Sequence, residues 1–161
     1  MRRHPGLHPL SQHHHFALIQ ALELRRATAV PADGRAAALH EAAQTFLGFW
    51  KKAGQQHFRE EEEILLIAYA RYVRLEQDPL VLRLLIEHVE IGAQIEKLEA
   101  ALAAGPPGQD AVAALARALH DHVRFEENEF FPRVESVIEE GELAQLGRRF
   151  TRLHPGESCE V

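Results

Sequence analysis

The chain has 161 residues, of which 46 % are hydrophobic and 26 % charged, with a formal net charge of −6. That fits one globular domain with a sizeable core, and the acidic balance without a lysine- or arginine-rich block argues against nucleic acid and anionic membranes as partners. The single cysteine, Cys159, excludes a disulfide framework or a thiolate metal site within one chain, whereas eleven histidines are well above expectation for this length. No apolar leader follows Met1-Arg2-Arg3-His4-Pro5, and the longest apolar run, about residues 64–70, is far short of the roughly 20 residues that cross a bilayer. A cytoplasmic location is the expectation.

The periodicity is helical nearly throughout, and nothing reads as a strand. Residues 1–8 are expected to be a flexible N-terminus, 9–154 the helical domain and 155–161 a flexible tail. The first helix opens at Pro9, a residue suited to a first turn. It follows Leu10, His14, Ala17, Leu18, Ala21 and Leu24, and stops near Pro31-Ala32-Asp33-Gly34. The second is long, about residues 34–73. Its stripe is Leu39, Ala43, Phe46, Trp50, then Ala53 or Gly54, His57, Glu61, Ile64 and Ala68.

Asp78-Pro79 is a cap and first-turn pair for the third helix, which follows Val81, Leu84, His88, Ile91, Ile95, Leu98 and Leu102 to Gly105-Pro106-Pro107-Gly108. The fourth follows Val112, Leu115, Leu119, His122, Glu126, Phe130, Val134 and Val137, and Pro132 is expected to kink or divide it. A short amphipathic piece after Gly141 (Leu143, Leu146, Phe150, Leu153) is expected to pack on one end. Four long helices with short connections predict an all-α, up-down-up-down four-helix bundle with a short extra helix at the C-terminus.

Six residues break the apolar stripes. His57 and Glu61 lie four apart on the second helix, His122 and Glu126 four apart on the fourth, so each pair shares a helix face. Both sit in the pattern His-apolar-Arg-x-Glu-Glu-x-Glu-apolar-apolar, and His14 and His88 fall on the stripes of the other two helices. Leu-x-x-x-His-x-x-Ala around His14 and Leu-x-x-x-His-x-x-Ile around His88 complete a repeated hairpin, whose halves would face one another across a pseudo-twofold axis.

An isolated His-x-x-x-Glu pair is ordinarily an exposed ion pair. Two copies in one extended motif, with a histidine on each remaining stripe, point instead to a box of four imidazoles and two carboxylates. Burying two carboxylates is costly unless they are paired or bind a cation. With no thiolates, the donors suit iron, manganese or zinc. Six ligands exceed a tetrahedral zinc site but fit a dinuclear centre: Glu61 and Glu126 bridging, two histidines on each metal, a bridging oxide or hydroxide, and one position open on each. Glu60, Glu62, Glu63 and Glu129 are expected to be mostly solvated, with Glu62 and Glu127 alternatively acting as acceptors behind the ligands. His4, His8, His40, His120 and His154 read as incidental. Glu-x-x-His and His-Glu-x-x-His are both absent, which argues against ferritin-like oxidases and zinc peptidases.

These residues resemble the hemerythrin-like HHE cation-binding domains. The likeness rests on Leu10-Ser11-Gln12-His13-His14-His15, His57-Phe58-Arg59-Glu60-Glu61-Glu62, Glu87-His88 and His122-Val123-Arg124-Phe125-Glu126-Glu127, with Phe131-Pro132 after it. It runs from about Leu10 to Leu153. It implies a four-helix bundle with two non-haem irons held by His14, His57, Glu61, His88, His122 and Glu126. His15 remains the alternative to His14, and Glu127 to Glu126.

The resemblance also implies that O2 carriers use a fifth histidine on the third helix. The positions four residues from His88 hold Leu84 and Gly92 here. That shifts the expectation toward the four-histidine, two-glutamate pattern of repair and iron-sensing members. The leading reading is a protein that binds or senses O2, NO or iron. The alternatives are di-iron redox or repair activity (peroxide or NO turnover, or iron donation to iron-sulfur clusters) and a metal-free helical interaction module.

Overall fold

The structure, a computed structural model, describes residues 3–153. It is helical, with no strand among the described residues. Helix α1 spans His8–Thr28. The second long segment runs α2 (Ala32–Phe49), a π-turn (Trp50–Gly54), α3 (Gln55–Glu60), a second π-turn (Glu61–Leu65) and α4 (Leu66–Tyr69). Helix α5 is Pro79–Ala104. The fourth segment is α6 (Gln109–Phe125), a π-turn (Glu126–Phe130) and α7 (Phe131–Val137), and α8 (Glu140–Leu153) closes the described chain.

The punctuation is local chemistry. The Asp78 carboxylate accepts from the Leu80 amide at 2.9 Å, capping α5 where Pro79 opens it. At the far end of α5, Gly105 takes φ +152°, a conformation L side chains rarely adopt. Helices α1 and α5 each pack against both α2 and α6, so the four long segments form a helical bundle. Its apolar core is in two parts. One gathers Leu10, Leu65, Tyr69, Leu84, Phe125, Phe130, Phe131 and Phe150, and the other Leu24, Leu39, Phe46, Ile91, Ile95, Leu98, Leu115 and Leu119. On each long segment the stretch where these two sets meet carries His14, His57 with Glu61, His88, or His122 with Glu126. A polar layer therefore divides the apolar interior.

Two expectations need correction. Residues 3–8 are not a loose lead-in. Leu7 is fully buried, Pro5–Leu7 forms a 3₁₀ turn, and that turn lies against α8. The approach is close enough that a Cβ on Gly6 would stand 2.1 Å from the Leu143 carbonyl oxygen, so only glycine fits there. His4, taken as incidental, ties this turn down: its Nδ1 accepts from the Gly6 amide and its Nε2 lies 3.0 Å from Glu140.

The end of α8 also differs, because Leu153 is exposed while Leu143, Leu146 and Phe150 are buried. Pro132 does mark a division, but the break lies in the π-turn before it. Pro132 then stands in the first turn of α7. The expected tail at 155–161 and His154 lie outside the described residues, as do residues 1 and 2.

Candidate metal centre

Four histidines and two glutamates meet in the polar layer. His14, His57, Glu61, His88, His122 and Glu126 are each at most 6 % exposed. They fall into two groups, His14-His57-Glu61-Glu126 and Glu61-His88-His122-Glu126, each offering four donor atoms within 4.8 Å of one another. Glu61 and Glu126 belong to both. Each of these glutamates also begins a π-turn: the Leu66 amide bonds back to the Glu61 carbonyl, and the Phe131 amide to the Glu126 carbonyl. Such single-turn widenings of an α-helix concentrate at functional sites.

The inward atoms are Nε2 of the four histidines and both carboxylate oxygens of Glu61 and Glu126. All eight are buried without a hydrogen-bond partner. They nevertheless crowd together, from 2.9 Å (His14 Nε2 to Glu126 Oε2) to 3.8 Å (His88 Nε2 to Glu126 Oε1). Buried polar atoms are almost always hydrogen-bonded, so eight facing one another without partners is the donor arrangement that a cation would satisfy.

The outward nitrogens are held. Nδ1 of His14 lies 2.6 Å from Glu127, Nδ1 of His88 2.7 Å from Glu62, and Nδ1 of His122 2.8 Å from Glu87. Nδ1 of His57 instead lies 3.3 Å from Nδ1 of His13. These contacts fix each ring with Nε2 facing the centre, the role outer partners play around metal-bound imidazoles. Ring packing adds to it: Phe58 stacks on His88 at 3.7 Å between centroids, and Phe131 on His14 at 5.2 Å.

The six groups govern one another's protonation. Burial disfavours an imidazolium at His88, but the Glu126 and Glu61 carboxylates outweigh it and raise its pKa to about 10. Burial is likewise outweighed at His122, chiefly by Glu126 and then Glu87, giving about 9, and at His14, where Glu126 leads and the value stands well above the ordinary one. At His57 burial wins over Glu61 and the pKa falls to about 3. Burial and mutual repulsion oppose ionisation of Glu61 and Glu126, yet the surrounding histidines hold both carboxylates below their usual range.

All six residues singled out in the sequence are thus brought together. His15 is exposed and Glu127 stands behind His14 rather than in the inner set. Glu62 and Glu127 take the outer acceptor positions foreseen for them. Glu60 corrects the expectation of a solvated side chain: it is 1 % exposed and accepts from Gln56. Two participants were missed. His13 sits one residue before His14, with no spacing that distinguishes it from its neighbours. Glu87 reaches His122 from another helix, which no local pattern reports.

A scan against family models matches residues 6–134 to the Hemerythrin HHE cation binding domain. The chain belongs to that family. The matched span carries all six of these clustered residues and ends within α7, before α8. No curated protein and no solved structure matches the chain. As an HHE domain the chain presents nitrogen and oxygen donors only, a set suited to iron, manganese or zinc and unsuited to thiophilic ions.

Beside this centre lies an apolar cavity of about 30 Å³, walled by Ala17, Phe49, Trp50, Phe58, Leu119 and Val123 and touching His14, His57, His122 and Glu126. That is room for about one water-sized molecule. No described helix is long and apolar enough to cross a membrane.

Proposed function

We propose that this chain is a non-haem di-iron protein that binds or senses a small ligand, O2 or NO, or iron itself, in an up-down-up-down four-helix bundle. The observation that carries the reading is the pair of four-donor groups sharing Glu61 and Glu126. Six side chains around one ion would leave no reason for this division, whereas two ions would each find two histidines of their own and the two shared carboxylates. His14 and His57 would hold one iron, His88 and His122 the other. When bound, the metal pair supplies a Lewis-acidic, redox-active centre for a small ligand.

The chain's own contribution is orientation and exclusion. Glu127, Glu62, Glu87 and His13 hold each ring at Nδ1 and leave Nε2 aimed inward, where a metal would take the place of its proton. The cavity beside the centre has room for a diatomic. Leu84 is fully buried in the apolar core and Gly92 has no side chain, so neither supplies the fifth histidine of an O2 carrier.

The test is metal content with stopped-flow mixing of the reduced protein with O2, NO and peroxide. A stable adduct supports binding or sensing, and repeated consumption of the ligand identifies turnover instead. Protein that folds fully and takes up no iron refutes both.

A further inference from the structure

The two halves of the centre are not equivalent, and one residue makes the difference. In the repeated hairpin the residue before each stripe histidine of α1 and α5 reaches across to the histidine of the adjoining segment. In one half this is Glu87, before His88, with its carboxylate 2.8 Å from Nδ1 of His122. In the other it is His13, before His14, with its ring nitrogen 3.3 Å from Nδ1 of His57. The remaining pairs match across the halves: Glu127 on His14 at 2.6 Å, Glu62 on His88 at 2.7 Å.

For His57 to offer Nε2 to a metal, its proton must sit on Nδ1. His13 must then accept through its own Nδ1. A neutral imidazole at 3.3 Å is a weaker acceptor than a carboxylate at 2.8 Å, and outer carboxylates raise the basicity of the imidazole they hold. The His88–His122 group has carboxylates behind both imidazoles. The His14–His57 group has one carboxylate and one histidine. The cavity touches both histidines of the first group, His14 and His57, but His122 and not His88 of the other, with the shared Glu126 also in its wall.

Resting on the di-iron reading above, we propose that the His14–His57 position is the weaker and exchangeable metal position, set by His13 where the internal repeat places Glu87, and that it faces the cavity. The test is chelator-driven iron release from the fully loaded chain under anaerobic conditions, counting iron per chain. The wild type should lose iron in two steps of one ion each, with midpoints about tenfold or more apart in chelator concentration. His13→Glu should move only the first step to higher chelator. Glu87→Gln, which leaves His13 untouched, should move only the second step to lower chelator, so that each variant narrows the gap. His13→Gln keeps a neutral acceptor and should keep the gap.

Loss of both ions in one wild-type step overturns the inference, as does a Glu87→Gln shift of the first step instead of the second. A chain that never holds two irons overturns the di-iron reading and this one with it, an outcome visible before any chelator is added.

Discussion

At the scale of single residues, the centre separates neighbours that a pattern treats alike. His13, His14 and His15 are consecutive, yet helical geometry sends them in different directions: His14 inward, His13 against His57, His15 to solvent. His14→Ala should therefore lose stable binding of iron while His15→Ala keeps the full complement, a contrast read directly by metal analysis of the purified variants. The same logic applies to Glu126 and Glu127. Glu126→Gln should abolish binding, because its carboxylate belongs to both groups. Glu127→Gln should weaken affinity by about 10- to 100-fold, the usual effect of removing an outer partner.

His14, His57, Glu61, His88, His122 and Glu126 were legible in the sequence because each is a polar residue where the stripe demands an apolar one. Glu60 was not, because its burial depends on what packs over it and not on its position in the repeat. Arg3 was not legible either. It reaches Glu127 at 2.8 Å and lies over the Phe131 ring, so the N-terminal arm braces the residue that holds His14.

At the scale of elements, the helices follow from stripe, cap and breaker, but their π-turns do not. Pro132 announces the one at Glu126–Phe130, because proline cannot continue the ladder. Nothing comparable stands after Glu61, yet the same widening begins there. The π-turn at Trp50–Gly54 places the Trp50 ring where a Cβ on Gly54 would stand 2.3 Å from it. Two glycine replacements separate a rigid neighbour from a movable one. Gly6→Ala meets the Leu143 backbone and should destabilise the fold by about 1–3 kcal/mol, the usual range for overpacking. Gly54→Ala meets an aromatic side chain that is not fully buried, which can swing aside, so its cost should be smaller. Denaturant unfolding of both variants checks the order. It fails if Gly54→Ala is the more damaging.

At the scale of the whole molecule, the polar layer makes stability depend on pH and on metal together. In the metal-free chain, His88 and His122 have folded pKa values of about 10 and 9, above the ordinary 6.5. Groups raised in this way contribute fully below about 6.5 and lose their contribution as pH climbs through 9 and 10. His57, lowered to about 3, acts oppositely and only below 6.5, where the unfolded chain protonates and the folded one resists. Glu127, lowered to about 2 chiefly by His14 against burial, adds stability above about 4.5 that is lost as pH falls toward 2.

Metal-free protein should thus be most stable near pH 6 and weaken toward pH 10. Thermal unfolding across that range checks this, and stability that climbs steadily from pH 6 to 10 would contradict it. Loaded protein should not weaken in that window, because metal replaces the shared protons and each uptake releases them. The bundle's helical class and the site's membership were readable from periodicity and from the repeat. The docking of residues 3–8 under α8 was not, since it depends on a close approach between Gly6 and Leu143 far apart in the chain.

The central claim is that the inward donors form two metal positions sharing two carboxylates. Iron stoichiometry after anaerobic reconstitution with ferrous iron and removal of loosely bound metal tests it most directly. The account predicts two irons per folded chain. A folded, fully helical chain that retains one iron or none would contradict it.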